Sequence, residues 1–175
     1  MGCALRTLGY DVNSVDPAQI DAAVELVKKW KGNIAKFEVD DAKRALASGE
    51  FFLIHTYSGD MLQVSMEKPS VRFVIPEEGA TVTFDNFVIH KNSANPKLAH
   101  AFIDFMYRPE VSAANMNEIM YVSPNMEAVK LVDEQLRNNP AFNIPAEVRA
   151  RCATMTDLGD NNILYIKAWD RIRAE

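Results

Sequence analysis

Phe51-Phe52-Leu53-Ile54-His55-Thr56-Tyr57-Ser58-Gly59-Asp60 runs from an apolar hexapeptide directly into a small polar turn. The hexapeptide is rich in aromatic and branched side chains, the composition of a buried strand. Residues 61–66 behind the turn have apolar residues at helical spacing, so the stretch reads as strand, turn, helix. In open α/β sheets, ligands sit outside such strand ends, where the switch to helix exposes side chains and backbone amides. One decapeptide therefore sets both a fold class, α/β, and a first place to look for a site.

Upstream, residues 1–8 read as the end of a helix stopped by Gly9. That helix opens without an N-cap, which suggests a chain cut from something longer. Asp16-Pro17 is a strong start signal, an aspartate cap before a proline in the first turn. Ile20, Ala23, Val24, Val27 and Trp30 follow at helical spacing until Gly32. Asp40 or Asp41 opens a short helix through Ala47, closed by Ser48-Gly49.

Downstream, residues 71–75 read as a second strand and residues 81–90 as a long third one with Asp85 in its middle. Asn95-Pro96 opens a helix with Leu98, Ala101, Phe102, Phe105 and Met106 on one face. Arg108-Pro109-Glu110 punctuates it, and a further helix runs to Ile119. Residues 121–125 are extended, because the residue before Pro124 avoids the helical region. A helix over residues 126–136 and a last one holding Leu158, Ile163, Ile166, Trp169 and Ile172 complete the chain. Strands separated by helices define the α/β class.

Composition narrows the function. The chain has 175 residues, 48% hydrophobic and 25% charged, enough for a real core and unlike a disordered chain. A net charge of −5 argues against nucleic acid or anionic membrane as partner and is compatible with a cationic ligand. No apolar run is long enough to span a bilayer as a helix. The first residues lack a signal-peptide pattern, and Arg6 stands where a myristoylation site prefers Ser or Thr. Cys3 and Cys152 have no metal-binding spacing, and a disulfide between them is left open.

Catalysis has no positive support. His55, His90 and His100 lie in different elements without metal-ligand spacing, and each is expected to be structural or solvated. No nucleophile elbow, P-loop or dinucleotide fingerprint occurs. The reading is of a protein that is not an enzyme, with no catalytic residue, metal or cofactor. Three places suit binding instead. At Tyr57-Ser58-Gly59-Asp60 the tyrosine offers an aromatic face and Asp60 a charge; equally, Ser58 or Asp60 caps the helix and Tyr57 is packing. Asp85, inside an apolar strand, either faces solvent or meets a specific cation, since an unpaired buried carboxylate costs several kcal/mol, on the order of 3–5. Tyr121 begins the extended Tyr121-Val122-Ser123-Pro124-Asn125, and a tyrosine there is by itself more often core than contact.

Taken with Ala4-Leu5-Arg6-Thr7-Leu8-Gly9-Tyr10, Val74-Ile75-Pro76-Glu77-Glu78-Gly79, Phe84-Asp85 and Phe102-Ile103-Asp104-Phe105-Met106-Tyr107-Arg108-Pro109-Glu110-Val111, these motifs resemble the spermidine/putrescine-binding proteins of bacterial ABC importers. The order and spacing hold over essentially the whole chain. The resemblance implies a type II periplasmic binding protein fold, here its C-terminal portion. Residues 1–84 would be second-lobe α/β, 85–120 an interlobe strand and a returning first-lobe segment, and 121–175 the crossover and C-terminal helices of the second lobe.

It further implies a periplasmic receptor that closes on a polyamine, putrescine or spermidine, and delivers it to an ABC permease. Tyr57 stands where the family usually has a stacking Trp, and Asp60 matches the putrescine branch. Asp85 matches the residue that pairs with a ligand ammonium, and Tyr121 one that lines the cleft. Ser58 and Phe84, in the same motifs, complete the candidate ligand-binding set. Thr83 departs from the usual aromatic and Met155 from a glutamine contact of the spermidine branch, so the slot is roomier and the polyamine is left open. The alternative is a relative for another small organic cation, an amino-acid derivative or a metal chelate. Residues 86–120, without the rest of their lobe, are expected to leave apolar surface uncovered and to favour oligomers or segment exchange.

Overall fold

The computed structural model describes residues 1–38 and 41–174. In chain order the helices are α1 (Gly2–Thr7), α2 (Pro17–Lys31), α3 (Ala42–Ser48), α4 (Ser58–Glu67), α5 (Pro96–Met106) and α6 (Pro109–Ile119). They continue as α7 (Met126–Leu131), α8 (Glu134–Arg137), α9 (Ala146–Arg149) and α10 (Asn162–Ala174), the last preceded by a 3-10 turn over Gly159–Asn161. Two short strands, β1 (Thr81–Val82) and β2 (Ala153–Thr154), pair in parallel with Thr81 opposite Ala153. The chain forms two compact units: Met1–Phe37, Ile75–Phe84 and Ala146–Glu175 in the first, Glu38–Val74 and Asp85–Pro145 in the second.

In the first unit, α2 starts where Asp16 accepts the Ala18 amide at 2.9 Å. Its apolar stripe, Ile20, Ala23, Val24 and Val27, packs with Ala4 and Leu5 of α1 and Ala168 and Ile172 of α10 into one buried core. The Lys31 ammonium donates to the Ile172 carbonyl at 2.9 Å, joining the far ends of α2 and α10. Trp169 meets Phe37 edge-on at 5.1 Å. Arg6 donates from Nε and Nη2 to the Glu78 carbonyl at 3.0 and 2.6 Å, and from Nη2 to the Arg151 carbonyl at 2.5 Å. One side chain thus joins α1 to the two segments that carry β1 and β2. Cys3 and Cys152 are both thiols, so no disulfide joins them.

In the second unit, α4 is buried on two sides. Leu62 joins Ala113 and Met116 of α6, Ala128 of α7, Val132 and Phe142. Met61 and Val64 join Val71, with Leu46, Ala47, Ile54 and Phe73 packed around them. By contrast, α5 buries none of its residues. Leu98, Phe102 and Phe105 stay exposed, as expected for this segment, and Phe102 and Tyr107 meet Phe87 edge-on at 6.2 and 6.4 Å. Phe87, Val88 and Ile119 of the same segment are exposed as well, whereas α6 buries Ser112, Ala113 and Met116.

The helices lie where capping signals placed them; the strands do not. Residues 51–56 form no strand and are not buried: Phe52 is 95% and Leu53 92% exposed. Residues 71–75 form no strand either, and the expected 81–90 strand shrinks to Thr81–Val82. A strand exists only as part of a ladder, and among the described residues β2 is the one partner that β1 finds. The helix expected over 126–136 breaks at Val132–Asp133, where Val132 turns extended (ψ 146°) and buries its side chain. Leu158 lies before α10, and Ile163 and Ile166 on it are exposed. Of the two caps considered for α3, Asp41 occupies the position without its side chain capping a helix amide, its carboxylate accepting from Arg44 Nε at 3.3 Å instead; Asp40 lies outside the described residues.

Candidate functional site

The first turn of α4 bears on the capping reading of Tyr57-Ser58-Gly59-Asp60. Tyr57 itself takes the N-cap position, in extended conformation (φ −84°, ψ 147°), and no side chain caps the helix. Ser58 and Asp60 are therefore not spent on capping. Nor is Tyr57 packing, since it is 53% exposed. The motif presents an aromatic face and a half-buried carboxylate at the head of a helix whose remaining turns are fixed in the core.

Tyr121 closes on this turn from the other side. Its ring lies on buried Gly59 so closely that a Cβ there would sit 2.7 Å from Tyr121 Cγ and nearer still to Cδ2 and Cε2. Glycine is required at this position by the close approach, not by its backbone angles. Tyr121 is aimed by the residue before it. Met120, the C-cap of α6, has φ 59°, the one positive φ among described non-glycine residues.

The segment after Tyr121 is equally fixed. The Ser123 amide donates to Met116 Sδ at 3.2 Å, and Asn125 Nδ2 donates to the Tyr107 carbonyl at 2.7 Å. Asn125 Oδ1 meanwhile accepts the Glu127 and Ala128 amides, capping α7. Gln63 of α4 accepts from Lys43 and donates to the Ile119 carbonyl at 2.8 Å, tying α4 to the end of α6 beside Tyr121.

The electrostatics follow from this packing. Burial, and then the nearby Asp60 carboxylate, push the Tyr121 phenol up to about 12. Both disfavour a second negative charge beside Asp60. The trio of Tyr57, Asp60 and Tyr121 thus combines an exposed ring, a carboxylate and a phenol that stays protonated. Such a set suits a small organic cation with an apolar stem, which gains from an aromatic wall and a charge partner together.

Of the other sequence candidates, Ser58 lies half-buried in the same turn. Asp85 belongs to the same unit, is exposed, and has no hydrogen bond or ion pair among the described residues. Phe84 belongs to the first unit and is also exposed. Sequence reasoning missed Gly59 as a contact and Met120 as the residue that aims Tyr121. A shallow cavity of 210 Å³ beside Cys3, Arg6, Glu78 and Thr81 does not compete, because Arg6 is already spent on backbone carbonyls.

Residues 2–144 match the family model described as bacterial extracellular solute-binding protein. The chain belongs to this family. A spermidine/putrescine-binding periplasmic protein of Salmonella typhimurium is 30% identical over 171 residues, covering 98% of this chain and 49% of the relative. A putrescine/agmatine-binding protein of Pseudomonas aeruginosa is 33% identical over 177 residues, covering 97% and 48%. The solved structure of the TpPotD lipoprotein of Treponema pallidum superposes with a TM-score of 0.85 at 28% identity, over 99% of this chain and 54% of that one.

The chain therefore spans about half the length of the relatives it matches. The resemblance read in its motifs and the expected fold class are both borne out, and that coverage agrees with the expectation of a portion of the fold. The relatives are substrate-binding transport components.

Proposed function

We propose that this chain supplies ligand-binding residues of a polyamine receptor serving an ABC importer in the periplasm. The observation that carries the reading is the convergence of Tyr57, Asp60 and Tyr121 on the head of α4. Relatives named for binding spermidine, putrescine and agmatine support it. A protonated diamine is an apolar rod with a charge at each end. Aromatic walls contribute about 0.5–2 kcal/mol per cation–π contact. Each ammonium taken out of water needs a carboxylate, and two carboxylates at a fixed separation then measure the length of the rod.

In this reading Asp60 and Asp85 receive ammonium groups and Tyr57 stacks on the methylenes. Ser58, Phe84 and Tyr121 are the remaining candidate contacts. Residues 1–84 and 121–175 are assigned to the second lobe of the whole protein, and 85–120 to the interlobe strand and a segment returning to the first. The exposed face of α5 makes self-association of the isolated chain an expected accompaniment.

Titration calorimetry of the full-length protein with putrescine tests the assignment. Asp85→Asn should weaken binding at least about a hundredfold, the loss expected when a desolvated ammonium is left without its partner. Unchanged affinity would remove Asp85 from the site. In a thermal-shift panel, stabilisation only by a non-amine ligand would overturn the polyamine reading itself.

A further inference from the structure

We propose that Gln63 is a positioning residue that sets the Tyr121 ring as a wall of the site, and that Lys43 in turn sets Gln63. The inference rests on the polyamine reading, in which Tyr121 is a candidate contact, and adds two residues that act on the ligand through that ring. Gln63 lies on α4 between Leu62 and Val64, which are each buried in a different core cluster. Its half-buried side chain meets two partners of opposite demand. The Lys43 ammonium of α3 can only donate, and it donates to Gln63 Oε1. The Ile119 carbonyl can only accept, and it receives Gln63 Nε2 at 2.8 Å. One orientation of the amide satisfies both; turned over, it would set donor against donor and acceptor against acceptor.

Ile119 is the last residue of α6, where carbonyls have lost their partners within the helix. The peptide that follows it is held at both edges: its oxygen by Gln63, and its amide, that of Met120, by the Met116 carbonyl at 2.9 Å. The next rotation along the chain is the φ of Met120, 59°, which a non-glycine residue keeps only where its surroundings over-determine it. The Met120 side chain packs against the cluster that contains Leu62. Beyond that rotation the Tyr121 ring lies on Gly59, with no room for a methyl group between them. The Ser123 and Asn125 bonds hold the chain after the ring, and Gln63 holds it before. A wall set before the ligand arrives loses less freedom on binding, which is the source of affinity in a preorganised site.

The first arm of the test needs no ligand. In the full-length protein the Gly59 Hα resonances should be displaced from the ordinary glycine range by the ring above them. Gln63→Met, of equal length but without either hydrogen bond, should bring them back toward that range. Lys43→Met leaves the Ile119 bond possible but no longer selects the amide orientation, and should bring them back in part.

The second arm titrates putrescine into Gln63→Met, Tyr121→Ala and the pair. Gln63→Met should weaken binding about tenfold, the worth of roughly one hydrogen bond, and should cost little further beside Tyr121→Ala. Should Gln63→Met fail to fold, Lys43→Met carries both arms, with a loss of roughly threefold that vanishes beside Tyr121→Ala. Equal losses in both backgrounds would mean that these residues act otherwise than through the ring, and would overturn the inference. So would Gly59 resonances that neither substitution moves. If putrescine, spermidine and cadaverine give no heat with the unaltered protein, the polyamine reading fails and takes the inference with it. That failure is distinct from binding with equal losses, which overturns the inference alone.

Discussion

Gly59→Ala should destabilise the second unit although it places a better helix former in a helix. The methyl group would stand 2.7 Å from Tyr121 Cγ and closer to two further ring carbons. Carbon atoms pack at roughly 3.5–4.0 Å, so the ring must retreat by about 1 Å or more. It cannot swing aside freely, being delivered by a left-handed Met120 and followed by the Ser123 and Asn125 bonds. Overpacking of this kind costs about 1–3 kcal/mol, and the helix preference of Ala over Gly returns at most about 1 kcal/mol. A net loss of about 1–2 kcal/mol is expected.

The decisive measurement is the same substitution made in a Tyr121→Ala background. With the ring gone, the three atoms nearest the added methyl are removed, and Gly59→Ala should become neutral or stabilising. The two backgrounds should differ by about 2 kcal/mol, a coupling typical of residues in direct contact. Urea melts followed by circular dichroism on the four proteins provide it. If Gly59→Ala costs the same with and without the ring, the close approach is not what requires glycine, and the reasoning fails.

Two further outcomes are expected. Gly79→Ala should cost about 3 kcal/mol or more, since Gly79 has φ +88° and a Cβ there would strike the Arg151 carbonyl. Gly9→Ala, at φ +77° with nothing nearby, should cost only the backbone share of about 1–2 kcal/mol; equal urea midpoints for the two variants would refute the packing contribution. Tyr121 should also leave a mark on alkaline stability. Its folded value, about 12, lies above the ordinary 10.0, so the folded state holds the phenol proton more tightly. That contribution is whole below pH 10 and is lost as pH rises from 10 to about 12. The urea midpoint of the unaltered protein should therefore fall relative to that of Tyr121→Phe across this window, and a constant difference would contradict it.

The helices were legible because their ends are written locally. Asp16 caps α2 with its own carboxylate, and Gly49 closes α3 in the left-handed conformation at φ 82°. Pro96 and Pro109 open α5 and α6 at the positions where a missing amide costs nothing. Strands carry no such local signature. The apolar run 51–56 has every compositional mark of a buried strand, yet Phe52 and Leu53 lie open to solvent because no ladder partner meets them. Among the described residues only Thr81–Val82 finds one, from residues about seventy positions away along the chain. Side-chain pattern reports what a segment is able to bury, whereas pairing depends on what else the chain brings alongside it.

The site divides the same way. The head of α4 was legible from residue type, since a tyrosine and an aspartate flank a Ser-Gly pair just where a helix must begin. The partner of that turn was not. Tyr121 read by itself as more core than contact, and the feature that turns it onto Gly59 is a methionine in the left-handed region, a conformation no sequence rule assigns to Met120. Yet Gly59 is intelligible in retrospect. A glycine in the first turn of a helix, where neither cap nor bend requires one, signals that something approaches the backbone there. What approached was an aromatic ring sixty-two residues downstream, in a segment held by the Ser123 amide on Met116 Sδ and by Asn125 on the Tyr107 carbonyl. A helix head left without its own cap, a glycine cleared for a ring, and a ring fixed from behind are three separate costs. They meet at the one turn that carries Asp60.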